Sequence, residues 1–236
     1  MKKGTLYLIP SVIAENKTET IPDQVKEVLS GLSYFMAENV RTTRRYISSL
    51  KLGVNIETLH FDELSKKTRN EQIAELMGPL DQGYDMGILS ESGCPGVADP
   101  GAKAVSYAHK NSIDVIPLVG PSSIILALMA SGFNGQKFRF NGYLPVDKHE
   151  LPKALKELER SSTKNDQTEI FIETPYRNNQ LLESIKKYCS ATTKLCIAKD
   201  LTGENHLVQT RSISDWKKQS IDLHKKPTVF MLYCHS

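Results

Sequence analysis

The sequence predicts an α/β protein in which short, buried strands alternate with amphipathic helices. Continuous apolar runs occur at Leu6–Ile9, Tyr34–Ala37 and Met86–Leu89, and turns containing Pro, Gly, Ser or Asn follow them. Segments with apolar residues at helical spacing separate these runs, as between residues 22 and 32. Strands that are apolar throughout are typical of a parallel sheet buried on both faces. The first part of the chain is therefore predicted to form a mainly parallel sheet.

The strand-then-helix order holds through the N-terminal half. The predicted strands are Leu6–Ile9, Tyr34–Ala37, Ile56–Leu59, Met86–Leu89 and Val115–Leu118. The predicted helices start near Pro22, Thr42, Asn70, Ala102 and Ile124. Pro10 ends the first strand because it has no N–H for the ladder, and Pro22 suits a first helical turn. Gly53 is a natural stop for the second helix.

After residue 134 the pattern changes. Phe138–Pro145 alternates like a strand, a charged helix follows from Leu151 to Arg160, and the polar stretch Ser161–Asp166 is interpreted as a link. Further strands are predicted at Glu169–Ile172, Leu195–Ala198 and Thr228–Tyr233, with a helix at Asn179–Cys189. We interpret this half as a second α/β domain with a mixed sheet, which gives domains of residues 1–117 and 118–236.

Composition excludes several classes of protein. The chain has 236 residues and a formal net charge of +3, too small a charge to indicate nucleic-acid binding by itself. Its cysteines, at positions 94, 189, 196 and 234, form no C-x-x-C pair. We therefore expect reduced thiols, no disulfide framework and no metal site. No apolar run approaches the ~20 residues that a membrane span needs. A cytoplasmic protein is expected.

Three turns have the composition of a ligand site. They are Pro10–Ile13, Ser90–Gly96 and Gly120–Ser123, and each follows a predicted strand. In open α/β sheets ligands bind at the carboxyl ends of strands, where glycine permits close approach and serine hydroxyls or free amides donate hydrogen bonds. Ordinary strand-to-helix turns have the same composition, and neither G-x-G-x-x-G nor a P-loop is present. The turns alone indicate only a small-molecule ligand at a sheet edge.

Seven segments in chain order carry a more specific pattern. They are Leu6–Pro10, Ala37–Arg41, Ser90–Gly101, Pro117–Ser123, Phe140–Pro145, Glu173–Arg177 and Ala198–Thr202. Together they resemble the motifs of the tetrapyrrole methylase superfamily, which comprises class III S-adenosylmethionine-dependent methyltransferases. Within it they resemble the bacterial enzymes that methylate a cytidine 2′-hydroxyl of small-subunit ribosomal RNA. The resemblance extends from Leu6 to about Tyr233.

The resemblance implies a two-domain methyltransferase, usually a homodimer, that binds S-adenosylmethionine in a cleft between its domains. It implies RNA as the methyl acceptor, with a tetrapyrrole or another small molecule as the alternative. It places the cofactor contacts, mostly through backbone groups, at Pro10, Ser90, Gly93, Val97, Ser122, Ser123, Thr174 and Ala198.

A ribose hydroxyl is a weak nucleophile and benefits from a base that takes its proton. Glu91 and Glu38, just past predicted strand ends, are the candidates. Glu91 could equally be a solvated turn residue, and Glu38 could instead form a salt bridge to Arg41 or Arg44. Arg41 belongs to a basic cluster that could hold a phosphate or an acceptor carboxylate, although helix-surface charge is the commoner explanation for such runs.

Several positions depart from the superfamily pattern. Asn39 and Val40 stand where Asp and Thr are usual, Cys94 replaces Thr, and Tyr176 replaces His. We interpret several of these positions as contacts with the methyl acceptor. Asn39, Val40 and Tyr176 also allow a second hypothesis, a degenerate relative that binds the cofactor or RNA without turnover.

Overall fold

The computed structural model describes residues 2–65 and 67–234, which form two compact units that divide between Ser122 and Ser123. Each unit has one five-stranded sheet covered by helices. The division lies a few residues after the predicted boundary at residue 117. The turn after the fifth strand stays with the first sheet, where the Leu118 N–H donates to the Leu8 carbonyl at 3.0 Å.

The first unit is an all-parallel sheet in the order β3-β2-β4-β1-β5. Its strands are β1 (Leu6–Ile9), β2 (Tyr34–Ala37), β3 (His60–Glu63), β4 (Met86–Leu89) and β5 (Val115–Pro117). Its helices are α1 (Asp23–Gly31), α2 (Val40–Ser49), α3 (Asn70–Leu76), α4 (Gly78–Asp81) and α5 (Ala102–Lys110). Because all strands run in one direction, the five carboxyl ends lie along one edge.

Both faces of this sheet are buried, which explains why its central strands are apolar throughout. Phe35 and Met36, neighbours on β2, point to opposite faces and are fully buried. Phe35 packs in the core formed with α1 and α2, and Met36 in the core formed with α3, α4 and α5. The predicted parallel sheet is confirmed.

The second unit is a mixed sheet in the order β6-β7-β10-β8-β9. Its strands are β6 (Phe138–Tyr143), β7 (Thr168–Ile172), β8 (Lys194–Lys199), β9 (Leu207–Ser212) and β10 (Thr228–Tyr233). Its helices are α6 (Ser123–Ser131), α7 (Glu150–Asn165), α8 (Asn178–Tyr188) and α9 (Ile213–Trp216). β6 and β7 are parallel, and β10 is antiparallel to both β7 and β8. The carboxyl ends of β6, β7 and β8 therefore share one edge.

The core of the second unit lies between its sheet and α7, α8 and α9. Phe171 and Phe230 stack across neighbouring strands with ring centroids 5.8 Å apart. The single tryptophan, Trp216, is 1% exposed and donates its indole N–H to the Leu195 carbonyl at 2.9 Å. A buried indole needs such a partner, and this bond fixes α9 against β8.

The predicted strand at Ile56–Leu59 is wrong. Residues Ile56–Thr58 form a 3-10 turn, and the strand follows at His60–Glu63. The Asn55 side chain accepts a hydrogen bond from the Glu57 N–H, and the Thr58 hydroxyl donates back to the Asn55 carbonyl. These local side-chain bonds offer the backbone an alternative to the sheet ladder.

The predicted polar link at Ser161–Asp166 is also wrong, since α7 continues to Asn165. Ser162 is fully buried; its hydroxyl donates to the Gln167 carbonyl and accepts from the Cys234 N–H. The helix stops only at Asp166, whose φ is +51°. The segment is polar because Ser162 is buried with two hydrogen-bond partners and because its neighbours lie on an exposed face of the helix.

Three elements were not predicted, namely α4, β9 and α9. Both helices span four residues, and β9 is a largely polar edge strand, so none produces a clear apolar period. Among the helices of the described residues, none has both the length and the apolar composition required to cross a bilayer.

A buried carboxylate ties α7 to the turn before β8. One oxygen of Glu159 accepts from the Ser190 N–H at 2.6 Å and the Thr193 hydroxyl at 2.5 Å, and the other from Lys156 Nζ at 2.8 Å. Burial raises the pKa of Glu159, but the hydrogen bonds from Lys156, Thr193 and Ser190 outweigh it, so the net pKa is lowered. The carboxylate is therefore a structural tie that stays ionised at neutral pH.

We predict that Glu159→Gln lowers the free energy of unfolding of the second unit by about 1–3 kcal/mol at pH 7, because charge-assisted bonds to a buried group are lost. Because the pKa of Glu159 is lowered in the native state, ionised Glu159 stabilises the fold at pH values above 4.5, the ordinary glutamate pKa. This stabilisation is lost as the pH falls through the native pKa. The difference between the two proteins should therefore shrink as pH falls below 4.5. Urea titrations followed by Trp216 fluorescence measure it.

The matched control is Glu157→Gln on the same helix. Glu157 pairs with Arg160, but the two side chains are 55% and 75% exposed. An exposed pair contributes roughly 0–1 kcal/mol. Equal destabilisation by the two substitutions would show that the buried tie has no special weight.

Candidate functional site

Loops from β1, β2, β4 and β5 meet at the carboxyl edge of the first sheet. They begin at Pro10, Glu38, Ser90 and Leu118, directly after their strands. β1 lies between β4 and β5 in the sheet, so the loops that follow these three strands are neighbours. We call the four loops after β1, β2, β4 and β5 the rim.

Main-chain bonding joins the loops after β1 and β4. The Ser11 N–H donates to the Gly93 carbonyl at 2.9 Å, and the two residues form an antiparallel bridge. The Ser11 hydroxyl donates to the Ser90 carbonyl at 3.2 Å. Gly93 has a φ of +72°, a conformation that costs a side-chain-bearing residue energy. Ser11, which belongs to the predicted Pro10–Ile13 turn, is thus a structural part of the site, whereas the sequence had suggested a serine that contacts the ligand.

The loops after β1 and β5 are in close contact. A Cβ placed on Gly120 would lie 2.2 Å from Cγ of Pro10 and 2.3 Å from its Cβ. Gly120 is therefore required by packing against the proline ring. Sequence reasoning had attributed the glycine to close approach of a ligand.

Pro10 is also held from the helix side. The Tyr46 hydroxyl, on α2, donates to the Pro10 carbonyl at 3.0 Å. Burial raises the pKa of Tyr46, so the hydroxyl remains a donor. Proline has no N–H, so a cofactor contact at Pro10 would have to use its ring or the second lone pair of this carbonyl.

Cys94 connects the loops after β4 and β5. Its thiol donates to the Pro121 carbonyl at 3.4 Å, and burial raises its pKa, which keeps it protonated. Sequence reasoning placed this departure on the acceptor side. The structure instead gives Cys94 a donor role within the rim, one that a threonine hydroxyl could also fill.

The two candidate bases lie on adjacent loops. The Glu38 N–H donates to the Leu89 carbonyl at 3.2 Å, and the Glu38 carboxylate accepts from the Glu91 N–H at 3.3 Å. Glu38 is half-buried, whereas Glu91 is exposed. The rim therefore presents two neighbouring carboxylates, and the Glu38 carboxylate also holds the loop that carries Glu91.

The alternative of a salt bridge from Glu38 to Arg41 or Arg44 is wrong for the described residues. Arg44 pairs with Glu57 at 2.9 Å and lies over the Phe61 ring. Arg41 is exposed and forms no ion pair within the described part of the chain. It is therefore available to bind an anion.

Asn39 retains the role that an aspartate would have at this position. It is the N-cap of α2, and its side-chain oxygen accepts from the Thr42 N–H at 3.1 Å. Asn and Asp are equally good N-caps. This departure therefore gives no support to a degenerate protein.

The second unit has its own edge loops. The Glu173 carboxylate accepts from the Thr174 N–H at 2.7 Å and from Nε of Arg177 at 3.1 Å. Its side chain is 7% exposed, so the ion pair fixes the loop after β7. Thr174 is exposed at the top of this loop, beside Tyr176, which is 71% exposed.

Unsatisfied and strained groups occur at the same edge. The Thr202 hydroxyl is buried and has no hydrogen-bond partner among the described residues, and the same holds for Oδ1 of Asn178. Thr202 has a φ of +64°, which is unusual for a β-branched residue. Strain and unpaired polar atoms of this kind occur at ligand sites.

The structure groups the predicted cofactor residues of the first unit. These are five of the eight, and all lie on the three joined loops, with Pro10 after β1, Ser90, Gly93 and Val97 after β4, and Ser122 after β5. Val97 is 48% exposed, further along its turn. Ala198 is 1% exposed and pairs with Val229 and Val208 inside the sheet. Cofactor contact at the eight positions stays a prediction.

Known proteins resemble this chain in sequence. It is 30% identical over 183 residues to ribosomal RNA small subunit methyltransferase I of Halalkalibacterium halodurans, a match covering 78% of this chain and 60% of that protein. It is 26% identical over 236 residues to the protein of the same name from Escherichia coli O157:H7, covering 99% of this chain and 79% of that protein. The chain thus matches between three-fifths and four-fifths of these relatives' length.

The fold also has a solved counterpart. The crystal structure of the methyltransferase CobJ superimposes with a TM-score of 0.66 at 14% identity, covering 98% of this chain and 94% of that one. No protein-family model matches the chain.

We predict that Gly120→Ala destabilises the first unit by about 1–3 kcal/mol, because the new methyl group overlaps the Pro10 ring. Thermal unfolding by circular dichroism, with hydrogen exchange of the peptide around Ser11, measures the effect. Gly31→Ala is the control, since a Cβ there meets nothing within 4 Å and alanine favours a helix. Exchange near Ser11 that is unchanged in the Gly120 variant would contradict the packing argument.

Proposed function

We propose that the chain is a member of the tetrapyrrole methylase superfamily and that it transfers a methyl group from S-adenosylmethionine to a ribose 2′-hydroxyl of RNA. The observation that carries the proposal is the rim, where the loops after β1, β4 and β5 are joined by Ser11, Gly93 and Cys94. Fixed loops at a sheet edge suit a reaction whose main requirement is orientation of its two reactants.

The residues fit S-adenosylmethionine in chemical terms. Its sulfonium is a cation, and Glu38 and Glu91 make the rim acidic. The first unit as a whole carries 13 Lys and Arg against 15 Asp and Glu, a formal charge of −2. Pro10, Ser90, Gly93, Val97, Ser122, Ser123, Thr174 and Ala198 are the proposed contacts.

When bound, S-adenosylmethionine supplies a methyl group that its sulfonium makes electrophilic. We assign Glu91 as the base that would accept the proton of the 2′-hydroxyl. Glu38 holds the Glu91 backbone through its 3.3 Å hydrogen bond and acts as a positioning residue. Arg41, which has no ion pair among the described residues, binds a phosphate near the reacting ribose.

The proposal includes a homodimer working in the cytoplasm, where RNA is available as substrate. Light scattering coupled to size exclusion tests the dimer independently of activity.

The first test combines binding and transfer. Calorimetry should detect S-adenosylmethionine binding, and incubation with labelled cofactor should methylate small ribosomal subunits from a strain that lacks this protein. Nuclease digestion should then recover a 2′-O-methylated nucleoside. Tetrapyrrole precursors incubated in parallel should remain unmethylated.

Each contrary result has a distinct meaning. No cofactor binding would refute the methyltransferase proposal. Binding without transfer to any acceptor would favour a degenerate relative, and transfer only to a tetrapyrrole would replace RNA as the substrate.

We further predict that Glu91→Gln slows methyl transfer by about 100-fold or more, the usual effect of losing a general base, while S-adenosylmethionine affinity stays within about threefold. Glu38→Gln is the matched control, since its amide oxygen can still accept the Glu91 N–H, and its loss should remain below about tenfold. Single-turnover rates separate these effects. A larger loss for Glu38→Gln would exchange the two roles.

A further inference from the structure

Positive charge is concentrated in the second unit. Residues 123–236 hold 17 of the 30 Lys and Arg residues and 12 of the 27 Asp and Glu residues, a formal charge of +5. The overall value of +3 hides this, because the first unit is negative. A region that binds a polyanion should therefore be sought in the second unit.

Three adjoining surface grooves run beside α7. The first groove, lined by Lys148 and Lys187, shares Pro152 with the second, which is lined by Lys153. The second groove shares Lys156 and Arg160 with the third, which is lined by Lys164. Together they are lined by seven cationic side chains, Lys148, Lys153, Lys156, Arg160, Lys164, Arg177 and Lys187. We call this set the basic belt.

The belt follows one helix for much of its length. Lys153, Lys156, Arg160 and Lys164 are spaced by three or four residues, so they lie on one face of α7 over about 16 Å of its axis. Cations at one-turn intervals match a chain of phosphates better than they match a single anion.

The carboxylates that line the three grooves are already engaged. Glu159 is directed inward by Ser190 and Thr193, Glu157 pairs with Arg160, and Glu183 pairs with Lys186 outside the belt. In contrast, four belt cations form no ion pair within the described ranges. They are Lys148, Lys153, Lys164 and Lys187. The belt therefore keeps a net positive field.

Hydroxyl groups accompany the cations in the third groove. Ser190 and Thr192, both exposed, line it together with Lys156, Arg160 and Lys164, whereas the hydroxyls of Thr163 and Thr193 already donate to Glu159. Such groups contact phosphate oxygens and sugar hydroxyls in nucleic-acid complexes. At the other end of the belt is Arg177, which Glu173 links to the loop that carries Thr174.

We propose that the basic belt binds the sugar-phosphate backbone of the RNA acceptor. The choice of RNA rests on the proposed function, whereas binding of a polyanion along α7 rests on the charges and grooves themselves. The contact is independent of base sequence, because the belt offers cations and hydroxyls.

The test uses the full chain with Lys153, Lys164 and Lys187 changed to Gln, one unpaired cation from each groove. The control changes Lys194, Lys217 and Lys218 to Gln, an equal charge loss in the same unit, none of which lines the three grooves. All six side chains belong to exposed residues, and equal Trp216 fluorescence melts check that both variants fold. The probe is a fluorescein-labelled 20-nucleotide RNA of mixed sequence, titrated by anisotropy from 50 to 200 mM KCl.

We expect the belt variant to bind at least tenfold more weakly at 50 mM KCl. The slope of log affinity against log salt should be shallower by about 2, the value for three lost phosphate contacts on a single strand. The control should stay within about threefold of the parent.

Equal losses in the belt variant and the control would overturn the proposal, as would unchanged affinity in the belt variant. Polyglutamate of equal charge that competes as well as unlabelled RNA would overturn RNA as the partner and indicate an acidic protein. If the parent methylates RNA while the belt variant binds it normally, the belt inference fails and the proposed function stands. If RNA binding depends on the belt but the parent does not methylate RNA, the belt inference stands and the proposed function fails.

Discussion

The parallel alignment of β1 with β4 and β5 is the constraint on which the rest of the first unit depends. Because these strands run in one direction, Ile9, Leu89 and Pro117 end at the same edge, and the loops that follow must share space. The Ser11–Gly93 main-chain bond and the Gly120–Pro10 contact are consequences of that crowding. Glu38 and Glu91 then become neighbours without any direct pairing between their side chains.

Charge is divided between the units in a way that fits two kinds of ligand. The first unit is net negative and carries the acidic rim, which favours a small cation such as a sulfonium. The second unit is net positive and carries the basic belt, which favours a polyanion. Summing the whole chain cancels most of this difference, so net charge alone gave no indication of nucleic-acid binding.

The alternation of strands and helices could be predicted because both faces of the first sheet are buried, and buried strands such as Met86–Leu89 are apolar throughout. Predictions failed where side chains bond to nearby backbone, as at Asn55, or where a polar residue such as Ser162 is buried with partners. At the site, motif order singled out loops after β1, β4 and β5, which the structure brings together at one edge of the first sheet. It could not reveal that Tyr46 holds Pro10 or that Cys94 bonds to Pro121, because these contacts join residues far apart in sequence.

The bonds that join Ser11, Ser90 and Gly93 all end on carbonyl oxygens of the main chain. Every residue type has such an oxygen, so many substitutions at neighbouring exposed positions such as Glu91 and Ser92 leave the shape of the edge intact. Under the proposed function, a scaffold of this kind can change its methyl acceptor through a few side chains while it keeps the same cofactor. Relatives with different acceptors should then differ in their exposed loop side chains and share the buried loop contacts.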